Sequence, residues 1–140
     1  MTKATYHWHE FADRSTFTNA LTHDIASSLT ADTNTQAQVL FGVSGGSTPL
    51  PVYQTLSKQH LPWSKIKMLL VDERFVPLDH ADSNEKNIRE AFADANIPPT
   101  QIQGLYSPTS DIAIAAEKAD QSLAAMNQIL DVVLLGMGED

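Results

Sequence analysis

Six residues, Ser44-Gly45-Gly46-Ser47-Thr48-Pro49, bring together two glycines and three hydroxyls. Adjacent glycines allow positive φ and let the backbone come close to a ligand. A turn that leads from a strand into a helix points unpaired N–H groups outward and carries partial positive charge. Such a turn is suited to holding a phosphate. It is not a Walker A loop, since no Gly-Lys-Ser/Thr follows, and it does not read Gly-x-Gly-x-x-Gly, so a dinucleotide is poorly supported. A tight turn with Ser or Thr capping the helix accounts for the same residues, and both readings stand open.

Asp72-Glu73-Arg74 sets a carboxylate beside a guanidinium. Arg suits planar recognition of phosphate or carboxylate, and a carboxylate here can hold a substrate hydroxyl or act as a base. A solvated loop with an internal ion pair is the plainer alternative. Ser83-Asn84 precedes a helical pattern, where an N-cap is the simpler role and a ligand contact the sharper one. Leu135-Gly136-Met137-Gly138-Glu139-Asp140 runs from a strand-like segment into a Gly-x-Gly turn and two acids, read either as a frayed polar end or as part of a functional loop. The histidines His7, His9, His23, His60 and His80 are scattered and define no metal site. Only His80, close after the acid–Arg cluster, merits attention. No Gly-x-Ser-x-Gly nucleophile elbow is present.

These clusters need elements to position them. Three apolar runs, Val39–Val43, Ile66–Val71 and Val132–Gly136, lack polar alternation and fit strands covered on both faces of a parallel sheet. Helical patterns lie between them. The first, within 11–29, carries Phe17, Leu21, Ile25 and Leu29 four apart. Further helices are expected from Thr48 to about Gln59, from Asn84 to Ala95 with Ser83 or Asn84 as cap, and from Asp111 to Met126 with Asp111 as cap. Leu105-Tyr106-Ser107 is a candidate short strand. Alternating strands and helices predict a single α/β domain over residues 1–140 with a mostly parallel sheet, and a ligand crevice outside the carboxyl ends of its strands. The polar clusters at Ser44–Thr48, Asp72–Arg74 and Gly138–Asp140 all follow strands, so all are expected at that crevice.

Composition narrows the classes. The 140 residues include 42% hydrophobic and 19% charged positions, the balance of a globular chain. Nine basic against 17 acidic residues give a formal charge of −8, which argues against a broad nucleic-acid or anionic-membrane footprint. There is no cysteine, which excludes disulfides, Cys-ligated metals and thiol nucleophiles. No run approaches a membrane span and no secretory signal is visible, so a cytoplasmic protein is expected.

Taken in order, Ser44-Gly45-Gly46-Ser47-Thr48-Pro49, Asp72-Glu73-Arg74-Phe75-Val76-Pro77, Ser83-Asn84 and Leu135-Gly136-Met137-Gly138-Glu139-Asp140 resemble the 6-phosphogluconolactonases. The wider superfamily includes glucosamine-6-phosphate deaminases, which usually carry Asp-Glu-Tyr where this chain has Asp-Glu-Arg. The resemblance implies a three-layer α/β/α Rossmann-like fold. It also implies hydrolysis of 6-phosphoglucono-δ-lactone to 6-phosphogluconate in the pentose phosphate pathway, with no metal and no organic cofactor. By position, Gly45, Gly46, Ser47 and Thr48 would cradle the sugar phosphate, Arg74 would pair with it, and Ser83 and Asn84 would lie nearby. Asp72 would sit near the sugar ring as a catalytic carboxylate, and Gly138 and Asp140 would flank the catalytic loop. The enzymes of this family continue after Glu-Asp with Gly-His-Thr-Ala-Ser, whose His is the expected base. The expectation is therefore that residues 1–140 form the N-terminal portion of the enzyme, lack the C-terminal part of its domain, and turn over little lactone alone. A deaminase-like sugar-phosphate enzyme and a non-catalytic sugar-phosphate-binding remnant are the alternatives. The sequence leaves the oligomeric state open.

Overall fold

The structure, a computed structural model, describes residues 2–138. It opens with α1 (Arg14–Thr33), followed by β1 (Val39–Val43), α2 (Leu50–Leu56), β2 (Ile66–Leu70), α3 (Asn84–Ala91), β3 (Ile102–Gln103), α4 (Ile112–Met126) and β4 (Val132–Leu134). Short 3₁₀ turns at Trp63–Lys65 and Pro99–Gln101 lead into β2 and β3. The strands form one sheet in the order β3-β2-β1-β4, and every pairing is parallel.

Register is closely specified at the centre. Val39 to Val43 pair with Ile66 to Leu70 one for one, and Phe41 to Val43 pair with Val132 to Leu134 on the other edge. Asp131 pins the second pairing. Its Oδ2 accepts from the Leu40 N–H at 2.9 Å, and its own N–H donates to the Leu40 carbonyl at 3.0 Å.

Side chains of β1 and β2 alternate between the two faces. Val39, Phe41, Val43, Ile66, Met68 and Leu70 meet Ile25 and Leu29 of α1, Val52, Tyr53 and Leu56 of α2, and Ile88 and Ala91 of α3. Phe41, Tyr53, Phe92 and Trp63 form a chain of ring contacts at 5.4 to 6.4 Å through this core. The crossovers β1-α2-β2 and β2-α3-β3 step along the sheet in one direction, while β3-α4-β4 steps back. Right-handed connections therefore place α4 on the opposite face, which completes the three-layer α/β/α arrangement.

The helices begin where their caps are. Asp13 Oδ1 accepts from the Thr16 N–H at 2.7 Å, Ser83 Oγ from Lys86 at 3.2 Å, and Asp111 Oδ1 from Ala113 at 2.8 Å. Four details differ from expectation. The run ending in β4 is not covered on both faces: Val132 and Leu134 are half-buried and Val133 is 40% exposed, as fits an edge strand. The buried stripe of α1 is Thr18, Thr22, Ile25, Leu29 and Thr33, with Phe17 and Leu21 only half-buried. Residues spaced strictly four apart drift by about 40° per step around a helix, so a run matching Leu29 at one end misses the core at the other. Helices α2 and α3 are each several residues shorter than their patterns suggested. The third loop strand is Ile102–Gln103, not Leu105–Ser107. Gln101 fixes it by donating its amide to the Ser64 and Ile66 carbonyls at 3.1 and 3.0 Å, and Ile102 carries its one buried apolar side chain. Among the described residues no helix is long and apolar enough to cross a membrane.

Phe41 is fully buried, whereas Ile129 is 83% exposed. Phe41→Ala is expected to lower unfolding free energy by about 3–5 kcal/mol, with Ile129→Ala within about 0.5 kcal/mol of the parent, as read by urea denaturation.

Candidate functional site

The ends of β1 and β4 lie side by side, with Val43 opposite Leu134. The chain leaves β1 toward one face and reaches β4 from the other, so this is the point where the strand order reverses. A crevice of about 640 Å³ opens there. Its walls are the turn from Ser44 to Pro49, Val71 and Asp72 after β2, Leu135 to Gly138 after β4, and Phe17 of α1.

The glycine-rich turn takes its shape from the core beneath it. The Tyr53 hydroxyl donates to the Ser44 carbonyl at 2.8 Å and accepts from the Ser44 N–H at 3.0 Å. Burial pushes the Tyr53 phenol up to about 12. The Ser44 hydrogen bonds oppose that shift and the Asp72 charge adds to it. Gly46 has φ +100, a conformation that costs an L side chain about 1–2 kcal/mol. Gly45 is needed for a different reason: a Cβ there would overlap the Asn84 side-chain amide. Among the described residues, the N–H groups of Gly46, Ser47 and Thr48 donate to no protein acceptor, and the buried Ser44 Oγ has no hydrogen-bond partner.

The three charged residues after β2 have three separate placements. Asp72 is exposed at the crevice. Glu73 turns back onto α3, where its carboxylate accepts the N–H groups of Asn84 at 2.7 Å and Glu85 at 2.9 Å, and also that of Arg74 at 2.8 Å. A carboxylate there satisfies orphan donors and complements the helix dipole. Arg74 Nη1 donates to Asn84 Oδ1 at 2.6 Å and to the Asp82 carbonyl at 3.3 Å. Asn84 Nδ2 in turn donates to the Asp72 Oδ1 and carbonyl, both at 3.3 Å. Glu73 and Arg74 line a second, more apolar cavity of about 340 Å³, between Phe75, Tyr106 and α4.

Of the residues singled out from sequence, Gly45, Gly46, Ser47, Thr48, Asp72 and Gly138 share the crevice wall. Arg74 stands on the neighbouring cavity and is tied to Asp72 through Asn84. Ser83 is fully buried as the cap of α3. Asp140 lies outside the described residues. His80 Nδ1 accepts from the Asp82 N–H at 3.1 Å and shapes the loop. Among the described residues there is no group of three His, Cys, Asp or Glu side chains that could hold a metal ion. Sequence reasoning missed Tyr53 and Glu73. The signal for Tyr53 is a phenol in a core-facing helix position, whose polar tip needs a partner. For Glu73 no sequence signal exists, because it caps α3 from eleven residues away through main-chain N–H groups.

The family of glucosamine-6-phosphate isomerases and 6-phosphogluconolactonases matches residues 12–140. The chain belongs to this family. It is 38% identical over 132 residues to a 6-phosphogluconolactonase of Pseudomonas putida, covering 94% of this chain and 54% of that protein. Crystal structures of 6-phosphogluconolactonases from Shewanella baltica and Thermotoga maritima superpose with TM-scores of 0.85 and 0.82 at 35% and 32% identity. They cover 91% and 87% of this chain and 55% and 56% of theirs. The chain spans about half the length of the curated relatives it matches.

Two measurements check the site's construction. Gly45→Ala is expected to displace the Asn84 amide and cost about 1–3 kcal/mol of stability, read as a lowered Tm. The Tyr53 phenol ionises in the unfolded chain near its ordinary value of 10.0 but in the folded chain only near 12. The unfolded state therefore sheds its proton first, and stability present below pH 10 is lost as pH rises toward 12, by roughly 2–3 kcal/mol. Denaturant titrations at pH 9 and 11.5 should show this loss in the parent and its absence in Tyr53→Phe.

Proposed function

We propose that the full-length polypeptide carrying these residues hydrolyses 6-phosphoglucono-δ-lactone to 6-phosphogluconate, as a soluble cytoplasmic enzyme acting on a sugar phosphate. The single observation that carries the reading is the crevice at the strand-order reversal. It puts a glycine-rich turn with unengaged N–H groups and two free hydroxyl side chains opposite Asp72, with Arg74 two residues beyond Asp72 at the neighbouring cavity.

In this reading the N–H groups of the turn, with Ser47 and Thr48, hold the phosphate, and Arg74 supplies the positive charge. Asp72 receives hydroxyls of the sugar ring. Water adds to the lactone carbonyl, the ring C–O bond breaks, and the ring oxygen leaves as the hydroxyl of the open acid. The base that takes the proton from water belongs, in the enzymes this chain resembles, to the segment following Asp140. Gly138 and Asp140 flank that segment. A positioned base of this kind contributes about 10²–10⁴-fold. The deaminase alternative fits less well, because Arg74 stands where those enzymes usually carry Tyr.

The test follows loss of the lactone by NMR against its spontaneous opening, and ammonia release from glucosamine 6-phosphate in parallel. Lactone opening at least about 10²-fold above background, with no ammonia, is the expected result. Ammonia release without accelerated lactone opening would overturn the reading. Arg74→Ala is expected to raise KM for the lactone about tenfold or more while leaving the fold intact.

A further inference from the structure

Arg74 sits among acids without being neutralised by one. Asp72, Glu73 and Asp82 all lie within eight positions of it, yet none of the ion pairs among the described residues includes its guanidinium. It is held by two neutral oxygens, Asn84 Oδ1 at 2.6 Å and the Asp82 carbonyl at 3.3 Å. The adjacent carboxylate of Glu73 is committed to three main-chain N–H groups. The Asp72 carboxylate faces the other end of the Asn84 amide, Nδ2, at 3.3 Å.

Asn84 thus stands between anion and cation, its amide oxygen toward Arg74 and its amide nitrogen toward Asp72. A primary amide has an acceptor at one end and donors at the other, so this orientation satisfies both neighbours. The side chain has no room to turn: Asn84 is only 3% exposed, its N–H is fixed by Glu73, and Gly45 closes against its amide. We infer that Asn84 is a positioning residue that holds the Arg74 guanidinium in place while leaving its charge un-neutralised, so that the cation serves a phosphate in the adjoining crevice. A carboxylate at the same position would make the same contact but as an ion pair, in direct competition with the phosphate. This inference rests on the phosphate role proposed for Arg74.

The inference predicts an unusual rank order. Asn84→Asp also loses the Nδ2 bond to Asp72 and faces its carboxylate, so a merely structural role would weaken phosphate binding only as far as the fold is destabilised, read as Tm, and would act equally in an Arg74→Ala background. Charge preservation predicts a loss of affinity in Asn84→Asp beyond that of Asn84→Ala and beyond what its Tm accounts for. Binding of inorganic phosphate to the full-length polypeptide, measured by calorimetry and ³¹P NMR, should weaken about threefold or more in Asn84→Ala and about tenfold or more in Asn84→Asp. In an Arg74→Ala background, Asn84→Asp should add no further loss. Asn84→Asp binding phosphate as well as, or better than, Asn84→Ala would overturn the inference, as would a parent protein that binds no phosphate. Should Asn84→Asp fail to fold, Asn84→Ala decides: parental phosphate affinity overturns the inference, and a severalfold loss supports it. Lactone turnover is scored separately. Absent turnover together with the expected phosphate ranking would overturn the lactonase reading and leave this inference standing.

Discussion

A strand buried on both faces and paired along both edges has one place left for polar chemistry, which is its end. β1 is such a strand: all of its residues are buried, and β2 and β4 flank it in parallel. Nothing polar could be placed along it without an unpaired group in the core. The hydroxyl-bearing residues therefore begin at Ser44, immediately after the last ladder residue. Because β4 lies on the other side of β1 from β2, the segments leaving the two strands diverge and a crevice opens between them. The site's location follows from the connectivity of one strand.

The loop after β2 shows how three adjacent charges can be given unrelated tasks. Glu73 completes the start of α3, and Asn84, the first residue of that helix, lies buried against Gly45 behind the crevice wall. Asn84 then links Asp72 and Arg74, whose side chains diverge toward different cavities. The glycine-rich turn is locked from beneath by Tyr53 and from the side by Asn84 against Gly45. Two segments far apart in sequence thus become one rigid wall, with the groups that face the crevice left uncommitted.

β1, β2 and β4 were readable from unbroken apolar runs, and the crevice from the polar residues placed directly after them. Asp13 was not anticipated as a cap because the helical run was read from Phe11, whereas Asp111 was, since an acid precedes an alanine-rich stretch. The separation of Arg74 from Asp72 was not readable: residues two apart on an extended chain share a side, and only the turn after β2 sends Asp72 and Arg74 to different cavities. The partners of Glu73 were equally hidden, being main-chain N–H groups that no sequence pattern displays. β3 escaped notice because a two-residue edge strand carries too few side chains to show a period, and its pairing depends on Gln101 reaching the Ser64 and Ile66 carbonyls.

The phenol beneath the turn has a further consequence, for dynamics. Surface turns ordinarily exchange their amide hydrogens through local fraying, independently of the rest of the molecule. The Ser44 amide cannot, because its acceptor is a side chain embedded in the ring stack of Phe41, Phe92 and Trp63. Releasing that hydrogen to solvent requires Tyr53 to withdraw, and Tyr53 can withdraw only when the helices α2 and α3 separate from the sheet. Opening at Ser44 is therefore coupled to opening of the packed core and not to fraying of the turn alone. Gly45, closed against the Asn84 amide, carries that constraint one residue further along the crevice wall.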